Sequence, residues 1–247
     1  MRHFGLVGRS LSHSFSQMYF TQKFYSLGLV EHEYQLFELA SIGELPALLA
    51  AHPALVGLNV TVPYKESVVP YLDELAPSAS RVGAVNVIEC RPEGILRGHN
   101  TDVVGFRESL RTFFPRREGA RALVLGAGGA AKAVGVALQD LDIPYWQVTR
   151  DSLAAGLTYD EITPQLLAAH HLIINATPVG TYPHNDECPR LPYAALTDHH
   201  YLYDLVYNPA ETLFMRKGEE AGAQTKNGFE MLCLQAEAAW DIWQKHL

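Results

Sequence analysis

Lys65 sits where a lysine is out of place. The run Gly57-Leu58-Asn59-Val60-Thr61-Val62-Pro63-Tyr64-Lys65 reads as a buried strand running out at a proline, with the lysine in the first turn of the next helix. A helix N-terminus carries partial positive charge, so a lysine there forgoes about 0.3–1 kcal/mol relative to an acid. A residue placed against local preference just past a strand end is a candidate for chemistry. A solvated side chain that bears the small cost is the alternative. The chemistry would be proton transfer, because an ammonium beside a carboxylate can hand a proton to an oxygen and take it back. Asp102, in Gly98-His99-Asn100-Thr101-Asp102, supplies a carboxylate, unless it only caps the helix that follows.

Four further polar positions belong with this pair. Asn86 lies within the apolar Gly83-Ala84-Val85-Asn86-Val87-Ile88, where a buried amide needs a backbone or ligand partner. Ser10-Leu11-Ser12-His13-Ser14-Phe15-Ser16-Gln17 precedes a helix, and Ser14 with Gln17 three residues on matches a capping box. Alternatively the Ser14 and Ser16 hydroxyls, helped by the helix dipole, hold a carboxylate; both hold if one serine caps and the other binds. Lys65, Asp102, Asn86 and Thr61 would fall at element ends facing one cleft if the sheet is parallel there.

A second constellation follows. Leu123-Val124-Leu125-Gly126-Ala127-Gly128-Gly129-Ala130-Ala131 runs an apolar strand directly into glycines and then a helix. Lack of a Cβ at Gly126 allows a tight turn, and Gly128 lets the backbone approach a pyrophosphate. Free N–H groups at the helix start near Ala130 would receive it. A plain tight turn is the alternative, but the strand before and the helix after are the context a dinucleotide site requires. The next strand ends at Val148-Thr149-Arg150-Asp151. Arg150 suits a 2′-phosphate and so NADP, whereas Asp151 would bond a free 2′-hydroxyl and pulls toward NAD.

These residues need elements to hold them. Strand and helix signals alternate throughout, the pattern of an α/β fold with parallel or mixed sheets under covering helices. Strands are expected at 4–7, 32–38, 56–62, 121–125, 145–149, 172–175 and 201–206. Helices are expected near 15–27, 42–52, 65–75, 103–113, 130–141, 211–221 and 229–245. Residues 84–90 and 95–99 read as a hairpin joined through Pro92-Glu93-Gly94, and the helix at 103–113 ends near Pro115 at a basic, solvated Arg116-Arg117 turn. The best domain boundary lies near Asn100–Asp102, where the first sheet ends.

Size and composition narrow the function classes. A chain of 247 residues holds one large domain or two modest ones. The formal net charge of −8, with no basic run to offset it, argues against nucleic acid and anionic membranes as partners. An anionic small molecule would need local positive potential from helix N-termini or single cations. The N-terminus is too short and too quickly polar for a signal peptide, and no apolar run approaches a membrane span. Cys90, Cys188 and Cys233 lack C-x-x-C spacing and fit a reducing compartment, the cytoplasm. Eleven histidines include no H-E-x-x-H, and the adjacent pairs His170-His171 and His199-His200 would point to different sides, so no metal site is expected.

Taken together the motifs resemble the shikimate dehydrogenase family. They are S-x-S at 14–16, N-V-T-V-P-Y-K at 59–65, G-A-V-N at 83–86, N-T-D at 100–102, G-A-G-G-A at 126–130, N-A-T-P-x-G at 175–180, D-L-V-Y-N-P at 204–209 and N-G-F-x-M-L-x-x-Q-A at 227–236. They cover nearly the whole chain in order. The resemblance implies a reversible, NADP-linked reduction of 3-dehydroshikimate to shikimate, in the route to chorismate and the aromatic amino acids. It implies an N-terminal α/β substrate domain, residues 1–101 completed by the returning C-terminal helix at 229–247, and a Rossmann-like nucleotide domain at 102–228. Lys65 and Asp102 would be the catalytic pair. Ser14 and Ser16 would take the substrate carboxylate; Thr61, Asn86, Asp102 and Gln235 the ring hydroxyls; Tyr207 would border the substrate. Gly126, Ala127, Gly128, Gly129, Ala130, Thr149, Arg150, Leu205 and Gly228 would line the cofactor. The family's Asn-Arg-Thr is Thr149-Arg150-Asp151 here, Leu205 replaces a common methionine, and the stretch after Asp151 is short enough to have lost a helix. A monomer or a homodimer would both fit. Two rivals stay open: an enzyme of this architecture acting on quinate or using NAD, and a sensor that binds without turnover, against which Lys65 and Asp102 argue.

Overall fold

Phe4, Leu6 and Val7 are all buried, and along a strand they point alternately to opposite faces, so the first strand needs cover on both sides. The computed structural model describes residues 1–11, 14–115, 118–150 and 156–246. Ser12-His13, the Arg116-Arg117 turn and Asp151 lie outside the described residues. The chain forms two compact units, Met1–Thr101 with Ala236–Leu247, and Asp102–Gln235.

The first unit contains β1 (Arg2–Gly8), α1 (Phe15–Ser26), β2 (His32–Glu38), α2 (Leu45–Ala51), β3 (Leu55–Val60), α3 (Tyr64–Ser67), β4 (Glu74–Leu75), α4 (Pro77–Val82), β5 (Val87–Cys90) and β6 (Leu96–His99). Its sheet runs β2-β1-β3-β5-β6-β4, with β1 parallel to both neighbours and β5 antiparallel to β3 and β6. Phe4, Leu6 and Tyr34 pack on Phe20 and Phe24 of α1, while Val7, Leu58 and Val60 pack on Leu45 of α2. Helices on opposite faces, with β1 between β2 and β3, make a topological switch at the C-terminal ends of β1 and β3.

The second unit contains α5 (Asp102–Phe113), β7 (Ala122–Leu125), α6 (Gly129–Asp140), β8 (Tyr145–Thr149), β9 (Leu157–Thr158), α7 (Pro164–Ala168), β10 (Leu172–Asn175), β11 (Tyr201–Asp204), α8 (Leu213–Glu220), β12 (Gln224–Lys226) and the start of α9 (Phe229–Trp243). Its sheet, β12-β11-β10-β7-β8-β9, is parallel at every pairing. Such a sheet is buried on both faces, and β7 and the first three residues of β10 accordingly read as apolar runs. Here the switch falls at β7 and β10. The second half of α9 belongs to the first unit, where Ala236, Ala239, Trp240 and Trp243 join the core around Phe4 and Phe20. The expected α/β class, parallel-rich sheets and returning C-terminal helix are thus present.

Several element expectations need correction. No single helix covers 65–75: α3 ends at Ser67, a 3-10 turn spans Val69–Tyr71 with Pro70 in it, and β4 follows. Pro70 has no N–H to continue the ladder. Asp73 instead exchanges bonds with Leu96, its N–H to the carbonyl at 3.0 Å and its carboxylate from the N–H at 2.8 Å, which turns the segment into an edge strand. The helix expected at 42–52 opens as a 3-10 turn, Ile42–Glu44, before α2. The short elements α4, α7, β9 and β12 were not anticipated. Residues 150–156 connect β8 to β9.

Candidate active site

The switch of the first unit gathers most of the polar candidates. Ser14 follows β1 at the N-cap position of α1, with extended backbone, yet its side chain makes no capping bond. Gln17 reaches the Tyr34 carbonyl instead, at 3.5 Å, so the capping box does not form. Among the described residues the Ser14 hydroxyl is buried without a hydrogen-bond partner. A buried hydroxyl left so forgoes about 1–3 kcal/mol, which a ligand acceptor at this position would recover. Ser16, half-buried one residue into α1, bonds the phenol of Tyr34.

Beyond β3 the chain turns at Thr61, whose N–H donates to Val7 at 2.9 Å and whose carbonyl accepts from Tyr64 at 2.9 Å. The Tyr64 hydroxyl donates to the Leu39 carbonyl at 2.6 Å, and the Lys65 carbonyl accepts from Val85 at 2.7 Å. The turn is therefore pinned on three sides, and half-buried Lys65 is the second residue of α3. Because α3 is four residues long, its dipole is weak and the local penalty on the lysine is smaller than a full helix would impose.

Asn86 is next to this turn, since its carbonyl accepts from Val60 at 2.9 Å. Its amide pairs with Thr101, taking the Thr101 N–H at 2.7 Å and donating to Oγ1 at 2.9 Å. Two residues given no role by sequence reasoning complete a buried network. The Tyr34 hydroxyl donates to Asn59 Oδ1 at 2.6 Å, and Asn59 Nδ2 reaches the Asn86 carbonyl at 3.4 Å. Burial pushes the Tyr34 phenol well above its usual range, with the Ser16 bond pulling partway back. Asn59 carried the same signal as Asn86, a polar residue in an apolar strand. Tyr34 carried none, because its ring packs as core and only its hydroxyl is polar.

In the second unit Asp102 is the first residue of α5 and is buried. Gln235, also buried, donates from Nε2 to the Leu232 carbonyl at 2.9 Å. These two residues are where the chain passes from one unit to the other. Gly126 follows β7 with φ of +116°, a conformation side chains resist, and its backbone lies against Ala176 and Thr177. Gly128 occupies the N-cap of α6, and a Cβ there would meet nothing within 4 Å. Ala127 is exposed, with Gly129 and Ala130 half-buried beside it, so the helix start is open and without side-chain caps. Thr149 ends β8 buried and Arg150 follows exposed. Leu205 and Gly228 touch directly: a Cβ on Gly228 would collide with the Leu205 carbonyl. Tyr207 is half-buried, and burial raises its phenol pKa.

A buried polar cluster holds the β10 and β11 ends. Asp204 accepts from Asn175 at 2.9 Å, from the Val206 N–H at 3.0 Å and from the Thr212 hydroxyl at 2.6 Å. Burial still pushes its carboxyl up to about 6, the three hydrogen bonds opposing. Asn175 also accepts from the Thr177 N–H and hydroxyl, at 3.1 and 2.6 Å. This binds the N-A-T-P-x-G and D-L-V-Y-N-P segments together at the C-terminal ends of two neighbouring strands. The geometry thus collects Ser14, Ser16, Thr61, Lys65 and Asn86 in the first unit. It collects the glycine turn, Thr149, Leu205 and Gly228 at strand ends of the second.

Comparison with known proteins places the chain among its relatives. Residues 6–88 match the family described as the shikimate dehydrogenase substrate binding domain. The shikimate dehydrogenase (NADP(+)) of Carboxydothermus hydrogenoformans is 36% identical over 256 residues, 97% of this chain and 90% of that protein. Among solved structures, shikimate 5-dehydrogenase of Thermus thermophilus in complex with NADP(H) and shikimate is 32% identical, covering 100% of this chain and 95% of that one with a TM-score of 0.83. Quinate dehydrogenase of Corynebacterium glutamicum in complex with NAD is 28% identical, covering 99% and 94%, with a TM-score of 0.87. The chain belongs to the shikimate dehydrogenase family.

Proposed function

We propose that this chain reduces 3-dehydroshikimate to shikimate, reversibly, with NADPH, as a cytoplasmic enzyme of aromatic biosynthesis. The observation that carries the reading is the buried Ser14 hydroxyl, without a hydrogen-bond partner among the described residues, at the same switch point as Thr61 and Lys65. It supports a subsite for the carboxylate, next to the groups that would meet the ring. No helix among the described residues is long and apolar enough to cross a membrane. Cys90, Cys188 and Cys233 are thiols rather than disulfides, in keeping with a reducing compartment.

The glycine turn fits a dinucleotide. The open side of Gly128 leaves room for a pyrophosphate against the uncapped N–H groups of α6, and Arg150 is exposed at the strand end where a 2′-phosphate is read. Gly126, Ala127, Gly129, Ala130, Thr149, Leu205 and Gly228 complete the set. When bound, the dinucleotide supplies the hydride for the reduction or takes it up in reverse.

The chain's own residues do the rest. Ser14 and Ser16 hold the substrate carboxylate, Thr61, Asn86, Asp102 and Gln235 grip ring hydroxyls, and Tyr207 borders the ring. As the ketone oxygen gains negative charge, the Lys65 ammonium stabilises it and donates a proton; oxidation returns that proton to the amine. The Asp102 carboxylate orients the ammonium and holds the neighbouring hydroxyl. One hydride and one proton thus convert the ketone to the alcohol.

A second reading, a quinate enzyme using NAD, is favoured by Asp151 after Arg150 and by the likeness to the quinate dehydrogenase. Initial rates with shikimate and quinate, each with NADP and NAD, separate the two. Fastest turnover with shikimate and NADP is expected. Preference for quinate with NAD would transfer the case to the second reading, and no turnover in any pairing would overturn both.

A further inference from the structure

The residues on either side of Asn86 and just before Asp102 are fastened to one another, and the pattern assigns a role to Thr101. The Asn86 N–H donates to the His99 carbonyl at 3.1 Å. The Asn100 N–H donates to the Ser78 hydroxyl oxygen at 3.1 Å, and its Nδ2 donates to the Ala84 carbonyl at 2.9 Å. Thr101 is then gripped twice by the Asn86 amide, through its N–H at 2.7 Å and its Oγ1 at 2.9 Å. Asn86, Asn100 and Thr101 are each at most 3% exposed, so these bonds are shielded from competing water. Three consecutive residues, 99 to 101, are thus tied to the segment 78–86, and the next residue is Asp102 at the head of α5.

Proton counting fixes the direction of the clamp. The Thr101 N–H can only donate, so it must meet the amide oxygen of Asn86. That orientation leaves Nδ2 toward the Thr101 hydroxyl, which serves as its acceptor. Removal of the hydroxyl would leave a buried amide N–H without that acceptor while leaving the Asp102 side chain itself intact.

We propose that Thr101 is a positioning residue for the reaction: its hydroxyl and N–H, clamped by Asn86, fix the backbone from which the Asp102 carboxylate projects. It rests on the reading of Asp102 as part of the catalytic pair. In this role Asn86 acts through Thr101 as well as on any ring hydroxyl, and the G-A-V-N and N-T-D segments form one device.

The test uses Thr101→Val, nearly isosteric without the hydroxyl, and Thr101→Ser, which keeps it. Thr101→Val should lower kcat about 5- to 30-fold with KM for shikimate within about threefold, as expected for a displaced carboxylate that acts on the developing charge. Thr101→Ser should recover most of the loss. Thr101→Ala, with its smaller side chain, provides the same readout if the valine variant does not fold. Wild-type kcat in Thr101→Val, or a serine variant as impaired as the valine one, overturns the proposal. Asp102→Asn measured alongside tests the underlying reading: normal kcat there removes Asp102 from the chemistry, whatever Thr101 does.

Discussion

Ser14 and Arg150 are the residues whose roles most directly become numbers. Loss of a charge-assisted bond from a buried hydroxyl to a carboxylate costs about 1.5–3 kcal/mol, so Ser14→Ala should raise KM for shikimate roughly 10- to 100-fold with kcat little changed. An unaltered KM would place the carboxylate elsewhere. Arg150→Ala should raise KM for NADP by a similar factor, roughly 10- to 100-fold, while KM with NAD stays within about threefold. Steady-state kinetics with both nucleotides checks this, and equal effects on the two would remove Arg150 from 2′-phosphate recognition. At this scale the sequence was informative wherever a residue contradicted its surroundings: a lysine in a first turn, an amide in an apolar strand, serines ahead of a helix. Tyr34 was illegible because its hydroxyl finds Asn59 only across two strands, a pairing that no local pattern encodes. The Ser14–Gln17 spacing misled in the other direction, since spacing alone does not say which acceptor Gln17 prefers.

At the scale of elements, strands that carry long apolar runs were legible, and 145–149 and 172–175 were expected at the bounds β8 and β10 have. Segments whose structure depends on partners were not. The stretch after α3 is turned by Pro70 and then captured by β6 through Asp73, and α4 is a single short turn starting at Pro77. The β10 and β11 ends give a pH-dependent prediction. Asp204 has its carboxyl raised to about 6 in the folded chain, against about 3.9 when unfolded. Between those values the folded state binds more protons, so this group's contribution favours folding at low pH and is lost as pH rises through about 6. The two-unit gap corresponds to roughly 2–3 kcal/mol. Asp204→Asn, which cannot titrate, should therefore gain stability relative to the wild type as pH rises from about 4 to about 6.5, by an amount of that order. Urea denaturation of both proteins across this range measures the difference. A constant difference would contradict the burial argument.

At the scale of the whole chain, α9 contributes to both units, with its first turns in the second and Trp243 in the core of the first. Trp243 is fully buried, donates to the Ile88 carbonyl at 3.1 Å, and lies flat enough on Gly57 that a Cβ there would overlap the indole. Gly57→Ala should cost about 1–3 kcal/mol by overpacking, seen as a lower urea midpoint. No change in the midpoint would mean that the helix end shifts freely. The return of the last helix was not legible in its own residues and came from the family resemblance. An amphipathic helix does not announce which core it will join.

The account's central claim is that Lys65 moves the proton. Lys65→Met keeps the side chain out to Cε and removes the ammonium, so the decisive measurement is its kcat and KM for shikimate with saturating NADP. The account predicts kcat lowered by about 10²–10⁴ with KM within a few-fold of wild type. A variant that turns over at near the wild-type rate would contradict it.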